Sequence, residues 1–233
     1  MYRPLMILVA TMLIFYAVVP AVSAGSQTWY FTTENASAPV YIGTPTVDYH
    51  KIMTKGVEGG NDKITLAPGE RVWFYADELA ACNVTFPAGK WNVAYWVKAT
   101  NSTDSNKTIT TRLHGINSTG FRLSGSTGYK SGIYKTQTPG SLEETIESLD
   151  APSFTITGGG RFAVEILWTS GANGNLEIYC NPSYKHASNM TSPSSDPGYP
   201  TSEIPIPEFT TIAIPIAIVL GLMFLFRPRK RKS

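Results

Sequence analysis

Two residue types in this chain could carry covalent chemistry at recognisable spacing. The first is asparagine in Asn-x-Ser/Thr triplets, at Asn35, Asn83, Asn101, Asn106, Asn117 and Asn189. Such a triplet is an acceptor for N-linked glycan, which is bulky and hydrated and needs an exposed surface. A chain this rich in Asn, Ser and Thr contains some by chance. Asn101, Asn106 and Asn117 fall within or beside the polar stretch 101–107, which reads as an exposed loop, and a glycosylated face is expected there. Asn83 is the weakest of the six because it adjoins a cysteine in a probable strand region. The second type is that cysteine itself. Cys82 and Cys180 are the only two in the chain, and in an exported protein they predict a disulfide. The closed loop of about 100 residues would contribute roughly 4–5 kcal/mol on a chain-entropy argument. Two buried free thiols are the alternative, and neither cysteine has a base beside it in sequence.

Other chemistry finds less support. His50, His114 and His186 are far apart and lack metal-ligand spacing, so they read as ordinary strand or surface histidines with no metal site. Carboxylates cluster at Glu143, Glu144, Glu147 and Asp150, which reads as a solvated face rather than a calcium site or a glycosidase pair. No EF-hand loop is present; a structural Ca²⁺ of the kind some sandwiches hold is compatible but not indicated, and no cofactor is expected. The sequence has no G-x-S-x-G, no P-loop and no dinucleotide fingerprint. It therefore predicts no catalytic residues and no enzyme. Trp73, Tyr75 and Trp96 fall opposite the obvious apolar alternation. Exposed there, they could stack on sugar rings; covered by a sandwich rim or a neighbour, they would be structural.

The elements that must position these residues are strands. Only 15% of the chain is charged, long helical periodicity is missing, and short alternating runs recur behind turn signals. Residues 71–78 follow Pro68-Gly69, with Val72, Phe74 and Ala76 alternating with Trp73 and Tyr75. Residues 90–100 follow Ala88-Gly89, with Trp91, Val93, Tyr95 and Val97 on one face. Residues 161–170 follow Gly158-Gly159-Gly160, with Phe162, Val164, Ile166 and Trp168 on one face. Partner strands are suggested at Ile109 to Leu113, Phe154 to Ile156 and Leu176 to Ile178, with shorter candidates at 28–33, 47–53 and 63–66. In 141–150, Ser141 and Glu144 form a capping box, but the all-β context favours a strand. Residues 25–187, enough for one core, are thus expected to be an antiparallel β-sandwich that resembles a jelly roll, with an immunoglobulin-like sandwich as the alternative. From 188 to 207, five prolines among Ser and Thr predict an extended stalk.

The two ends read as addresses. Arg3, the apolar run 5–19 and the small residues Val22 and Ala24 form a signal peptide cut after Ala24 by signal peptidase. Residues 210–226 carry no charge and reach roughly 26 Å as a helix, enough for a membrane span. The basic tail 227–233 would stay cytoplasmic, which leaves the preceding domain at the cell surface. The chain has 19 Lys and Arg and 17 Asp and Glu; all the acids but only 13 of the bases lie between 25 and 209, giving that part −4. This argues against a nucleic-acid partner.

Pro207-Glu208-Phe209, the apolar run and the basic tail together resemble the PEF-CTERM sorting signal of archaeal surface proteins. The resemblance covers residues 204–232. It implies an archaeosortase partner, cleavage near Pro207-Glu208-Phe209 and transfer of the new C-terminus to a membrane lipid or other carrier. The resulting expectation is a non-enzymatic, membrane-anchored surface protein of envelope, adhesion or assembly type, with envelope proteins or glycans as partners. A carbohydrate-binding module is the alternative.

Overall fold

The computed structural model describes residues 25–43, 48–56, 63–123, 132–136, 138–180 and 187–198. They hold thirteen strands and no helix: β1 (Thr28–Asn35), β2 (Asp48–Thr54), β3 (Lys63–Leu66), β4 (Arg71–Ala76), β5 (Val84–Phe86), β6 (Gly89–Ala99), β7 (Thr108–Ile116), β8 (Gly132–Lys135), β9 (Glu143–Ala151), β10 (Phe154–Ile156), β11 (Arg161–Trp168), β12 (Leu176–Tyr179) and β13 (Asn189–Thr191). The signal peptide, the sorting motif Pro207-Glu208-Phe209, the apolar run 210–226, His186 and the basic tail lie outside the described residues. Among the described residues no helix is long and apolar enough to cross a membrane.

The expected all-β antiparallel architecture is present. The hydrogen-bonded path runs β3-β12-β6-β13-β1-β2-β4-β11-β7-β8, with β9 on the free edge of β6 and a separate β10–β5 pair. Every pairing is antiparallel except β2–β4. The path folds across itself into two layers. The runs with buried alternation supply the contacts between them: Trp91 of β6 meets Phe162 of β11 edge-on at 5.4 Å, and Trp29 of β1 meets the same ring at 4.9 Å. Trp29, Trp73, Trp91 and Trp168 are all fully buried, so most of the indole area is removed from water.

Turn chemistry fixes where strands begin. Gly69 adopts φ +86° in the turn that opens β4, a conformation costly for any residue with a Cβ. Glu70 Oε2 accepts the Ala67 N–H in the same turn at 2.8 Å. The capping-box segment is a strand: β9 pairs with β6 over nine residues, from Gly89↔Ala151 to Val97↔Glu143. A full ladder on the edge of β6 satisfies more backbone groups than one isolated helical turn would.

The domain boundary needs correcting. Residues 188–198 are not stalk. β13 pairs with both β1 and β6, and Ser188, Met190, Ser192 and Asp196 are buried. Met190 supplies the apolar side chain that faces the core, and all five prolines of the stretch, from Pro193 on, lie after the strand and leave its ladder intact. The compact unit closes at Tyr199.

Candidate functional site

The densest polar constellation lies on the face of β2-β4-β11-β7 turned away from the main core. Registers place His50, Trp73, Glu165 and Arg112 in one row across the four strands. The neighbouring row is Ile52, Tyr75, Ala163 and His114. Strand alternation creates this: Phe162, Val164 and Ile166 fill the core, so Ala163 and Glu165 must face the other way. Glu165 is 0% exposed and sits among cations. Its Oε1 accepts from Arg71 Nη1 at 2.9 Å and its Oε2 lies 2.8 Å from His114 Nε2. Arg112 and Arg122 approach Oε2 at 3.6 and 4.0 Å. Arg71 also pairs with Asp48 at 3.2 Å.

Burial pushes the Glu165 carboxyl up, but the His114 hydrogen bond and the charges of Arg112 and Arg71 outweigh it and hold the group below its ordinary value. Burial pushes His114 down, further than the Glu165 hydrogen bond and charge raise it, and Arg122 and Arg112 push the same way. The pair is therefore an ionised carboxylate and a neutral imidazole. A carboxylate only accepts, so the imidazole proton sits on Nε2. This is the arrangement of a catalytic base and its orienting acid. Here His114 is only 1% exposed, so the pair cannot meet a substrate in this state and, with Arg71, instead holds three strands together.

A strap, residues 36–42, covers this face. The Tyr41 ring stacks on Trp73 at 4.9 Å, and the Arg122 guanidinium lies 4.3 Å from the Tyr41 ring and 5.0 Å from the Trp73 ring. The Tyr41 N–H donates to Tyr75 Oη at 2.9 Å. Arg161, 2% exposed, fastens the strap from below by donating to Pro39 O at 3.1 and 2.9 Å, to Ser37 O, and to Ala76 O at 3.1 Å. Tyr75 Oη lies 2.9 Å from His50 Nδ1. Burial pushes the Tyr75 phenol up, so it keeps its proton, and burial pushes His50 down, which favours the neutral ring. Trp73 and Tyr75, which could have stacked on sugar rings if exposed, are both 0% exposed and covered by the strap, the structural alternative. Only Trp96 keeps partial exposure, opposite Tyr179 and Glu144 on a different part of the sheet.

The expected disulfide is also corrected. Cys82 is an exposed free thiol and Cys180 a buried one. Cys180 ends β12 with its thiol directed at Ile178 O, while Cys82 occupies the turn between β4 and β5. The carboxylates Glu143, Glu144, Glu147 and Asp150 spread along β9 with Glu144 and Asp150 exposed. Among the described residues no group of three or more His, Cys, Asp or Glu could hold a metal ion. Sequence reasoning passed over Glu165 and read His114 as an ordinary strand or surface histidine. The signal was a lone Glu inside a buried strand run, with Arg112 and His114 at matching alternate positions of a partner strand.

The comparisons speak to the two parts separately. Residues 206–231 match the PEF-CTERM archaeal protein sorting domain. No curated protein matches the chain. Among solved structures, a CocE/NonD family hydrolase from Staphylococcus aureus is similar with a TM-score of 0.54 at 11% identity, over 76% of this chain and 37% of that one. An α-amino acid ester hydrolase is similar with a TM-score of 0.50 at 10% identity, over 74% and 36%. This chain therefore spans well under half the length of either hydrolase. At such identities the likeness is one of fold. It nevertheless overturns the expectation of a non-enzymatic envelope, adhesion or carbohydrate-binding protein, because the sandwich is an architecture that hydrolases carry.

Proposed function

We propose that this chain is a sorted, C-terminally anchored surface protein that brings a hydrolase-type β-domain to the outer face of the membrane. The observation that carries the reading is the match of residues 206–231 to the sorting domain, in the part of the chain that follows the closing strand of the sandwich at Thr191. On this reading signal peptidase cuts after Ala24 and an archaeosortase recognises Pro207-Glu208-Phe209. Cleavage near that motif joins the new C-terminus to a lipid or other carrier, and residues 210–233 are discarded. The test is mass mapping of the C-terminal peptide of the protein extracted from native membranes. A terminus near Pro207 to Phe209 bearing an added mass supports processing; an unmodified peptide ending at Ser233 sinks it.

The role of the domain follows from what it is similar to. It corresponds to a little over a third of each hydrolase, so we infer that it works as the β part of a larger ester-hydrolysing machinery at the surface. The experiment is immunodepletion of the chain from a mild-detergent membrane extract, followed by assay with an aryl ester and an amino-acid ester. Loss of turnover with the chain supports this role. Undiminished turnover in the depleted extract overturns it.

A further inference from the structure

The six Asn-x-Ser/Thr triplets adopt different local structures, and the difference lies in where the hydroxyl two residues on is bonded. At Asn101 the side-chain Oδ1 accepts both the N–H and the hydroxyl of Thr103, each at 2.9 Å. At Asn117 Oδ1 accepts the Thr119 N–H at 3.0 Å, the Thr119 hydroxyl at 2.8 Å and the Phe121 N–H at 2.9 Å. Each triplet closes on itself. With the carbonyl edge of the amide turned into its own loop, Nδ2 points the other way, and no described protein group accepts from it at either site.

Two other triplets are tied into the sheet. The hydroxyl of Thr85, two residues after Asn83, bonds Thr155 Oγ1 across the β5–β10 pair at 2.8 Å. The hydroxyl of Thr191, two residues after Asn189, bonds Thr28 Oγ1 across the β13–β1 pair at 3.0 Å. Asn189 itself lies in a strand paired on both sides, and its Nδ2 donates to Ala187 O at 3.1 Å. A transferring enzyme must grip the triplet and expose Nδ2. In these two cases that means breaking cross-strand bonds; in the first two it means approaching a turn. Asn35 and Asn106 have neither arrangement.

We propose that Asn101 and Asn117 carry N-linked glycan in the native protein and that Asn83 and Asn189 do not. In the transfer, Nδ2 forms a bond to the anomeric carbon of a phosphate-activated oligosaccharide. The anomeric C–O bond breaks, its electron pair leaves with the donor phosphate, and the Nδ2 proton passes to the transferring enzyme's base. The two sites lie at opposite ends of β7, about 30 Å apart for nine residues of strand. Asn101 is at the end remote from Thr28 and Thr191, where the chain leaves the sheet toward its C-terminus. The two glycans would therefore sit at opposite ends of the sheet. A second loop buttresses the Asn101 site: a Cβ on Gly174 would meet Asn101 Cβ at 2.5 Å.

The proposal rests on the export reading, and the experiment separates the two. Full-length protein from native membranes, and its Thr103→Ala, Thr103→Ser, Thr119→Ala and Thr119→Ser variants expressed in the same cells, are mapped by glycopeptide mass spectrometry. The expected result is a chain beginning at Gly25 with glycan mass on the Asn101 and Asn117 peptides, and bare Asn83 and Asn189. Each Thr→Ala change removes the mass at its own site, and each Thr→Ser change keeps it. A chain beginning at Gly25 with bare Asn101 and Asn117, or with Asn83 and Asn189 modified to the same extent, overturns the proposal alone. A chain that retains residues 1–24 and bears no glycan overturns both readings.

Discussion

His114 Nε2 and Glu165 Oε2 lie 2.8 Å apart on neighbouring strands, and neither side chain is more than 1% exposed. The carboxylate is shared by Arg71, so one buried charge ties β4, β11 and β7 together on the face that the strap covers. Buried ions need partners because desolvation is costly, and here the partners come from the two neighbouring strands, β4 and β7, and from Arg122 beyond β7.

This pair makes the domain acid-sensitive. His114 has a lowered pKa when folded, so below its ordinary value of 6.5 the unfolded chain takes up a proton that the folded one refuses. The unfolded state then binds more protons, and stability falls as the pH drops. Glu165 is also lowered from 4.5, and its contribution, present above that value, is lost as the pH falls through the folded pKa. Thermal melts should show a falling Tm from pH 7 to pH 4. In His114→Gln the part of the fall between pH 7 and pH 5 should shrink; an unchanged slope there would remove His114 as its source.

Glu165→Gln keeps the shape but strips the charge from a site facing Arg71. Breaking a buried ion pair on one side costs about 3–5 kcal/mol. The lower end applies because Arg71, Arg112 and Arg122 are partly exposed and can turn toward water. For a domain of this size that is a Tm loss of about 10 °C. A loss within a degree or two would mean that the arginines neutralise each other's loss through solvent.

Trp73 and Trp96 should separate clearly. Truncating a fully buried indole to alanine costs about 3–5 kcal/mol, and Trp73→Ala also unstacks Tyr41 and Arg122. Trp96 is half-buried, and Trp96→Ala should cost about 1 kcal/mol. Urea titration of both variants measures the difference, and equal midpoints would contradict the buried position of Trp73.

The thiols differ in access. A thiol reagent should modify one cysteine, Cys82, in the folded protein and two in denaturant. The buried Cys180 thiol is pushed up to about 12, so little thiolate exists at neutral pH. Reductant should leave the Tm unchanged, whereas a drop on reduction would restore the disulfide.

Much of the architecture was legible because alternation is a strong signal where one face is buried and the other is not. Val72, Phe74 and Ala76, and likewise Trp91 to Val97, set their strands and their inward faces directly. The same reasoning failed on the opposite face. Trp73, Tyr75 and Glu165 alternate just as an exposed row would, and what buries them is a strap of residues 36–42 more than thirty positions from Trp73. No local pattern reports such a long-range cover. β13 was hidden for a related reason: three residues just ahead of a proline-rich stretch carry no periodicity, and they form a strand only because β1 and β6 supply ladders on both sides. The disulfide failed because two cysteines in a chain read as exported establish opportunity and leave distance unspecified.

Asp104 carries the last prediction. It is 0% exposed and sits in the loop between β6 and β7. Its Oδ1 accepts the Asn173 N–H and its Oδ2 the Gly174 N–H, each at 2.8 Å, so it joins this loop to the one between β11 and β12. Asp104→Asn turns one acceptor into a donor facing an N–H, and Asp104→Ala strands both donors. An unsatisfied buried group costs about 1–3 kcal/mol, so alanine should destabilise more than asparagine. Hydrogen exchange should locate the damage: the Asn173 and Gly174 amides speed up while those of β11 at Val164 and Ile166 hold. Because Thr103 Oγ1 also accepts from Asn173 Nδ2 at 3.1 Å, the Asn101 turn should loosen with them. Exchange that rises uniformly across the sheet would instead make Asp104 part of the global core, and the two loops would not be a separable unit.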